Sequence, residues 1–479
     1  MKSQMVRTGT LHSPQLHARC ARKTPLVHLP HPCRHRAKID ALALCVCALL
    51  VQAGGTLGAQ DITFSGSAQT ALGVYVRGSN AGNFSRAQET VAGELDVRFA
   101  NCEAFIAGNV FFNALAAFSD GTFSFADGLG AELKEAYFSW TSPEFGRGLT
   151  AGIKIGRQIN AWGKADAIRI ADVLCPQNLT TLNAANYSES RLGIDAIKIT
   201  LSGMIFSLDA YWMPFFRPSA LPLQKWNALG ALLIPKRVSV PGVPDPVPIA
   251  LGAISRPELK LANGSYAARA SFWLSRIDFS LYGYYGFDDF PIVDYALDAL
   301  PPTTITVSGD YHRYGMAGFD MALPVSTLVF RLESAFLINR AFQTDAAHIF
   351  AGGTSYERKH EVRGLFGIDW MQSGWTVTAQ YYGDGVFGDA ATLSRSAYEH
   401  GTTLSVSRSF FSETLTLSLT GALRWNDFDS FVSAKVQYAL TDAIALLLAF
   451  DGYFPGKNDG EYGKYKDLSC VRLEGIFRF

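Results

Sequence analysis

Side chains along this chain alternate in character over stretches longer than a globular strand. Ile62, Phe64, Leu72 and Val74 fall on one face, with Thr63, Ser65, Ser67 and Gln69 on the other. The pattern returns at Val91, Leu95, Val97 and Phe99 against Glu94, Asp96 and Arg98, and again at Leu415, Leu417 and Leu419 against Thr414, Thr416 and Ser418. Period two is the signature of a strand with unlike faces. Strands in globular sheets run ~5–6 residues, whereas a tilted strand crossing a bilayer needs ~9–11, one face to lipid and the other to a polar lumen. The expected fold class is therefore all-β: a transmembrane, antiparallel, up-and-down β-barrel. Composition agrees, because 33 Phe, 19 Tyr and 44 Gly with only 18% charged residues and a mean hydropathy of +0.10 leave no room for disorder. Only one apolar run, near the N-terminus, begins to approach the ~18 residues of a membrane helix.

Breaks in the alternation predict the strand count. Short breaks fall at 101–102, 142–147, 202–203, 275–276, 323–324, 372–374, 411–413 and 440–442. Between them lie mostly longer polar, Gly- or Pro-containing segments at 78–90, 118–131, 159–189, 214–262, 288–310, 339–360, 385–401, 426–429 and 455–467. Eight short turns and nine loops give about 18 strands, with 14 or 16 as the alternatives, and place both chain ends on the short-turn side. An even count with short turns at one end and long loops at the other is the pattern of bacterial outer-membrane barrels.

Residues 1–59 differ from the rest. They carry eight basic residues and one acid, followed by the apolar run Ala41 to Val51 and the small pair Gly58-Ala59. A signal peptide with an extended basic n-region is expected there, with the barrel occupying 60–479. Without the leader, 34 basic residues stand against 41 acidic ones, a net charge of about −7, which excludes nucleic acid as an expected partner. Of the seven Cys, only Cys102, Cys175 and Cys470 lie beyond the leader, too scattered for a disulfide scaffold or a CxxC metal site.

At the C-terminus, Val471, Leu473, Gly475, Phe477 and Phe479 point one way and Arg472, Glu474 and Arg478 the other, and the chain stops at Phe479. Phe477 and Phe479 resemble the signal read by the outer-membrane barrel-assembly machinery. Tyr282, Tyr284 and Tyr285, Tyr381-Tyr382 and Tyr211-Trp212 suit aromatic girdles at the membrane interfaces or packing inside the lumen.

Further motifs carry a family resemblance. Glu135-Ala136-Tyr137, then Gly156-Arg157-Gln158, Trp162-Gly163 and the stretch Asp172 to Pro176 resemble the EAY, GRQ…WG and D…NP segments of a large, functionally uncharacterised family of bacterial outer-membrane barrels. Cys175 stands where that pattern has Asn. The resemblance implies a membrane barrel and no particular substrate. By overall character the chain also resembles the outer-membrane long-chain fatty-acid transporters, without their Asn-Pro-Ala hatch motif near the start of the barrel.

No catalytic pattern is present. Beyond the leader there are four His (His312, His348, His360, His400), none in an HExxH or lipase-like setting, and no G-x-S-x-G occurs. An enzyme, a cofactor and a metal site are not expected. The expected function is a porin-like outer-membrane channel for small solutes. The alternatives are a transporter of hydrophobic molecules and a surface-exposed adhesin or structural barrel. Glu94, Asp96, Arg98, Lys154, Asp195, Asp209 and Asp278 are the lumen-lining candidates. The Pro-rich loop 214–262 holds too many apolar residues to leave in water, with a short helix expected over 226–234. It is the candidate constriction, through Leu223, Trp226, Leu229, Leu232 and Leu233. As partners this reading implies the lipid bilayer, the assembly machinery and a small solute or hydrophobic ligand, with a homo-oligomer left open.

Overall fold

The computed structural model describes residues 61–479 except 120, 183–186, 225, 235, 240–242, 299–301 and 458–459. The expected signal peptide lies outside the described residues. Alternation becomes structure in β1 (Asp61–Tyr75), which pairs along its length with β2 (Phe84–Phe99). The wall continues through β3 (Cys102–Asn113), β4 (Leu129–Thr141), β5 (Thr150–Gln158), β6 (Ile194–Ser202) and β7 (Phe206–Met213). The next loop carries β8 (Arg237–Val238) and β9 (Val247–Ser255) before β10 (Ser265–Leu274) and β11 (Ile277–Phe287) rejoin the wall. A second excursion carries β12 (Ile292–Leu297) and β13 (Ile305–Asp310). The wall is completed by β14 (Arg313–Val325), β15 (Leu328–Gln343), β16 (Tyr356–Gln372), β17 (Trp375–Val386) and β18 (Tyr398–Phe410), then β19 (Leu415–Arg424), β20 (Asp429–Ala439), β21 (Ile444–Phe454) and β22 (Cys470–Arg478). Antiparallel pairing of β22 with β1 closes an 18-stranded barrel.

The period-two reading assigns the faces. Ile62, Phe64, Leu72 and Val74 on β1, and Val471, Leu473 and Phe477 on β22, are exposed on the outer wall. An apolar surface wrapped around a closed wall is suited to hydrocarbon. Among the described residues no helix is long and apolar enough to cross a membrane. The aromatic clusters are split by the alternation. Tyr285, Tyr381 and Trp212 take the outer face, and Tyr211, Tyr282, Tyr284 and Tyr382 face the lumen.

Several expected breaks move; residues 84–90, for instance, belong to β2 and not to the loop expected over 78–90. Pro324 lies inside β14, opposite Val329, and the turn is Ser326-Thr327. With Val325 and Leu328 closing a two-residue hairpin, 324 and 329 form the pair that exchanges no hydrogen bonds. The missing N–H then points towards β11, whose pairing with β14 has already stopped at Ala322. Likewise, much of 339–360 is strand. β15 continues to Gln343 past a bulge at Ile338 and Asn339, where Asn339 takes φ +57°, and that extra residue disguises the alternation.

The Pro-rich loop also departs from expectation. Pro248 sits within β9, beside the two-residue β8, and β9 pairs in parallel with β13 to make a four-stranded sheet, β12-β13-β9-β8, separate from the barrel wall. A residue lacking an N–H is tolerated there because only a short edge strand abuts it. The expected helix forms as Ala228–Leu233, with the Asn227 side chain accepting the Leu229 N–H.

Candidate functional site

The segment that enters the lumen is loop 159–193, between β5 and β6. Trp162, Ile170, Ala171, Val173, Leu174 and Cys175 are buried in one cluster with lumen-facing residues of the wall: Ile194, Tyr211, Tyr282, Met316, Leu337 and Leu365. Each aliphatic side chain removed from water contributes ~1.5–3 kcal/mol, so this apolar run is driven onto the wall. Loop 214–264 lies on top of it: Asn178 bridges Ala220, and the Asn227 side chain donates to the Thr180 carbonyl at 2.6 Å. Of the constriction candidates, Leu229 is buried, Trp226 half-buried, and Leu223, Leu232 and Leu233 exposed. They belong to a second layer that makes contacts of its own, through Phe216 against Phe287 of β11 and through the helix Ala228–Leu233 against the turn Gly463–Leu468 between β21 and β22.

The family-motif residues form the root from which this inner loop departs. Gly156 adopts φ +126°, and a Cβ there would stand 2.3 Å from the Ala136 carbonyl oxygen. Glu135 accepts the Ile159 N–H at 2.7 Å. Arg157 forms a two-pronged ion pair with Asp195 at 2.9 and 3.1 Å, and Gln158, fully buried, donates to the Ala196 carbonyl at 3.0 Å. Trp162 then packs against Tyr282 (4.8 Å between ring centres) and edge-on to Tyr211 (5.9 Å). Gly163 donates to the Tyr282 hydroxyl at 3.1 Å.

Glu333 on β15 is the anchor, one that the sequence reading did not single out. It is 1% exposed and accepts three backbone N–H groups of the loop, from Lys164 (2.6 Å), Ala165 (2.8 Å) and Ala171 (2.7 Å). Arg331 adds bonds to the Lys164 carbonyl at 2.8 Å and the Asp166 carboxylate at 2.6 Å. Asp172 organises the loop internally, accepting from Trp162 N–H, the Tyr187 hydroxyl and Arg191. Arg169 reaches Asp289 with two bonds, and Asp289 also accepts the Ser219 hydroxyl, so three loops meet at one carboxylate. Burial, then the neighbouring Asp172, raises the Tyr187 hydroxyl, and burial pushes the Cys175 thiol up to about 12.

On its other side the loop presents Glu189, exposed on the turn Tyr187–Ser190 and within electrostatic reach of Arg86 on β2 and Lys435 on β20, across the barrel. The register puts Glu94, Asp96 and Arg98 on the inward face of β2, Lys154 on that of β5, Asp209 on that of β7 and Asp278 on that of β11. Asp195 takes the opposite face. Inward Ile194 and Ala196 meet the apolar loop, so at this level of β6 the apolar side chains face in and the Arg157–Asp195 pair faces out. Cys102, Cys175 and Cys470 are free thiols, and among the described residues no group of His, Cys, Asp or Glu could hold a metal.

Comparison with solved structures finds similarity to OpdK of Pseudomonas aeruginosa, solved with vanillate: 11% identity, TM-score 0.46, covering 88% of this chain and 100% of that one. OccAB3 of Acinetobacter baumannii gives 11%, 0.45, 88% and 99%, and OmpF of Salmonella typhi, solved with daunomycin, 9%, 0.41, 87% and 97%. No curated protein matches the chain. A family model described as "Protein of unknown function (DUF1302)" matches residues 76–458, most of the chain. By that match, the chain belongs to the DUF1302 family of proteins of unknown function.

Proposed function

We propose that this protein is an outer-membrane channel that lets small solutes cross through a water-filled lumen narrowed by loop 159–193. The observation that carries the reading is the anchoring of that loop on Glu333, 162 to 169 residues away in sequence. An 18-strand wall encloses more space than its own side chains fill. A loop tied to one side of such a wall narrows the passage while leaving the facing wall to water. That facing wall is polar: Arg472 bonds Asp451 and Glu474, with Arg86 and Lys435 alongside. A solute passing Glu189 would move between charges of opposite sign. The large apolar residues of the loop cluster are spent on holding the inner loop, which disfavours a continuous greasy route for hydrophobic molecules. Reconstitution into planar bilayers tests the reading. Discrete ohmic steps are expected, growing when 164–190 is replaced by a short Gly-Ser linker; a folded barrel that passes no ions would refute it.

A further inference from the structure

Beneath the inner loop, three cations line one stretch of the wall, each over a tyrosine ring. The Lys154 ammonium stands 3.6 Å from the Tyr137 ring centre, the Lys198 ammonium 5.4 Å from Tyr211, and the Arg269 guanidinium 5.6 Å from Tyr282. Tyr211 and Tyr282 are the rings that Trp162 packs against, so two of the three cation seats are fixed by the loop's own anchor. All three cations are half-buried and face the lumen.

The arrangement is short of internal anions. Lys154 and Lys198 sit directly opposite each other on β5 and β6, a like-charge pairing that destabilises a sheet. Asp209 serves Lys198 at 3.2 Å but also accepts from Thr200 and Tyr211. Lys154 has no carboxylate within ion-pair distance among the described residues. Glu135 is occupied by the Ile159 N–H, and Glu103 by Ser139 and Arg98. Arg269 donates only weakly, to Ser280 at 3.4 Å, and its buried Nε has no partner. From β5 to β10 the row spans three strand spacings, on the order of 14 Å. Running across strands tilted by ~35–45°, it also climbs the wall.

We propose that Lys154, Lys198 and Arg269 form a carboxylate-binding row, over which small organic anions are held and passed along beneath the inner loop. A solute carboxylate held at Lys154 or at Lys198 would accept from that ammonium and offset the like-charge pairing, and Arg269 offers the forked donor that suits the next position. The inference rests on the channel reading and names its solute class. The test is the reversal potential of the full-length protein in planar bilayers under a KCl gradient, followed by titration with benzoate or inorganic phosphate. The parent is expected to prefer anions and to lose chloride current to benzoate at lower concentration than to phosphate. The variant Lys154→Gln/Lys198→Gln/Arg269→Gln should lose both properties severalfold while remaining heat-modifiable. Lys154→Arg/Lys198→Arg/Arg269→Lys, which keeps the charge, should retain them. Conducting channels whose selectivity is the same in parent and Gln variant, or on which phosphate acts as strongly as benzoate, overturn the carboxylate row and leave the channel standing. A parent that never conducts overturns both.

Discussion

Gly163 shows how one residue can decide whether the inner loop seats. Its φ of +84° lies in the left-handed region, and a Cβ there would meet the Glu333 carboxylate at 2.3 Å. An L-residue in that region costs ~1–2 kcal/mol, and the clash would push away the one carboxylate that holds three loop N–H groups. Gly163→Ala is therefore expected to release the loop, seen as larger and noisier single-channel currents from a barrel that still runs as a heat-modifiable band. Glu333→Gln attacks the same contact from the wall side. Lys164 and Ala165 share one oxygen and Ala171 takes the other, so an amide must set its own N–H₂ against at least one donor. Hydrogen bonds to a charged group are worth ~1.5–3 kcal/mol each, and conductance should rise as it does in Gly163→Ala. Conductance unchanged in both variants would mean that these bonds do not hold the constriction.

The inner loop carries its own reporter. Cys175 is 1% exposed, its thiol donates to the Asn160 carbonyl at 3.4 Å, and burial raises it to about 12. Because the thiolate is the reactive form, a protein that starts at Gln60, and so lacks the four Cys of residues 1–59, and carries Cys102→Ser/Cys470→Ser should resist maleimide at pH 8 while the loop is seated. Adding Glu333→Gln should make Cys175 react; equal labelling rates with and without that change would show the loop to be seated by something else. How far this element was legible in the sequence follows from the physics of each signal. Alternation reports which face a residue takes, so the strand count and the closed antiparallel wall could be read directly. It reports nothing about where a loop goes, because that depends on partners such as Glu333 and Asp289, far away along the chain. Apolar content pointed to 214–262, and in the structure Ala220 and Asn227 of that loop pack on 178–180 of the inner one. The better local signals were Gly163 and Trp162, residues whose cost outside a packed site is high. Asp195 was misplaced for a related reason. Polarity predicts the water-facing side only where water is present, and at Ile194 and Ala196, where the loop is seated, the inward side of β6 is dry.

The barrel as a whole depends on joining its two ends. β22 pairs with β1 from Ser67–Arg478 to Tyr75–Cys470, and Phe479 extends the ladder by two main-chain bonds with Gly66, at 2.9 and 3.0 Å. Its ring lies 6.0 Å from Phe64 and 5.9 Å from Phe477, at the short-turn rim of the outer wall. Removing it would cost those contacts and ~0.5–1.5 kcal/mol for each bond, a small fraction of a closure made over the whole strand pair. It touches none of the inner loop's anchors and none of the cations in the lumen. Deleting Phe479 should therefore act on the efficiency with which the last strand is recognised and joined to the first. Less protein should reach the membrane as a heat-modifiable band, while the molecules that do insert show the parental conductance and selectivity. Quantifying inserted protein in membrane fractions alongside single-channel recording separates the two effects. Equal insertion of the truncated and parent chains would remove the assembly role of Phe479, and altered conductance in the inserted fraction would show that the rim aromatics also shape the pore.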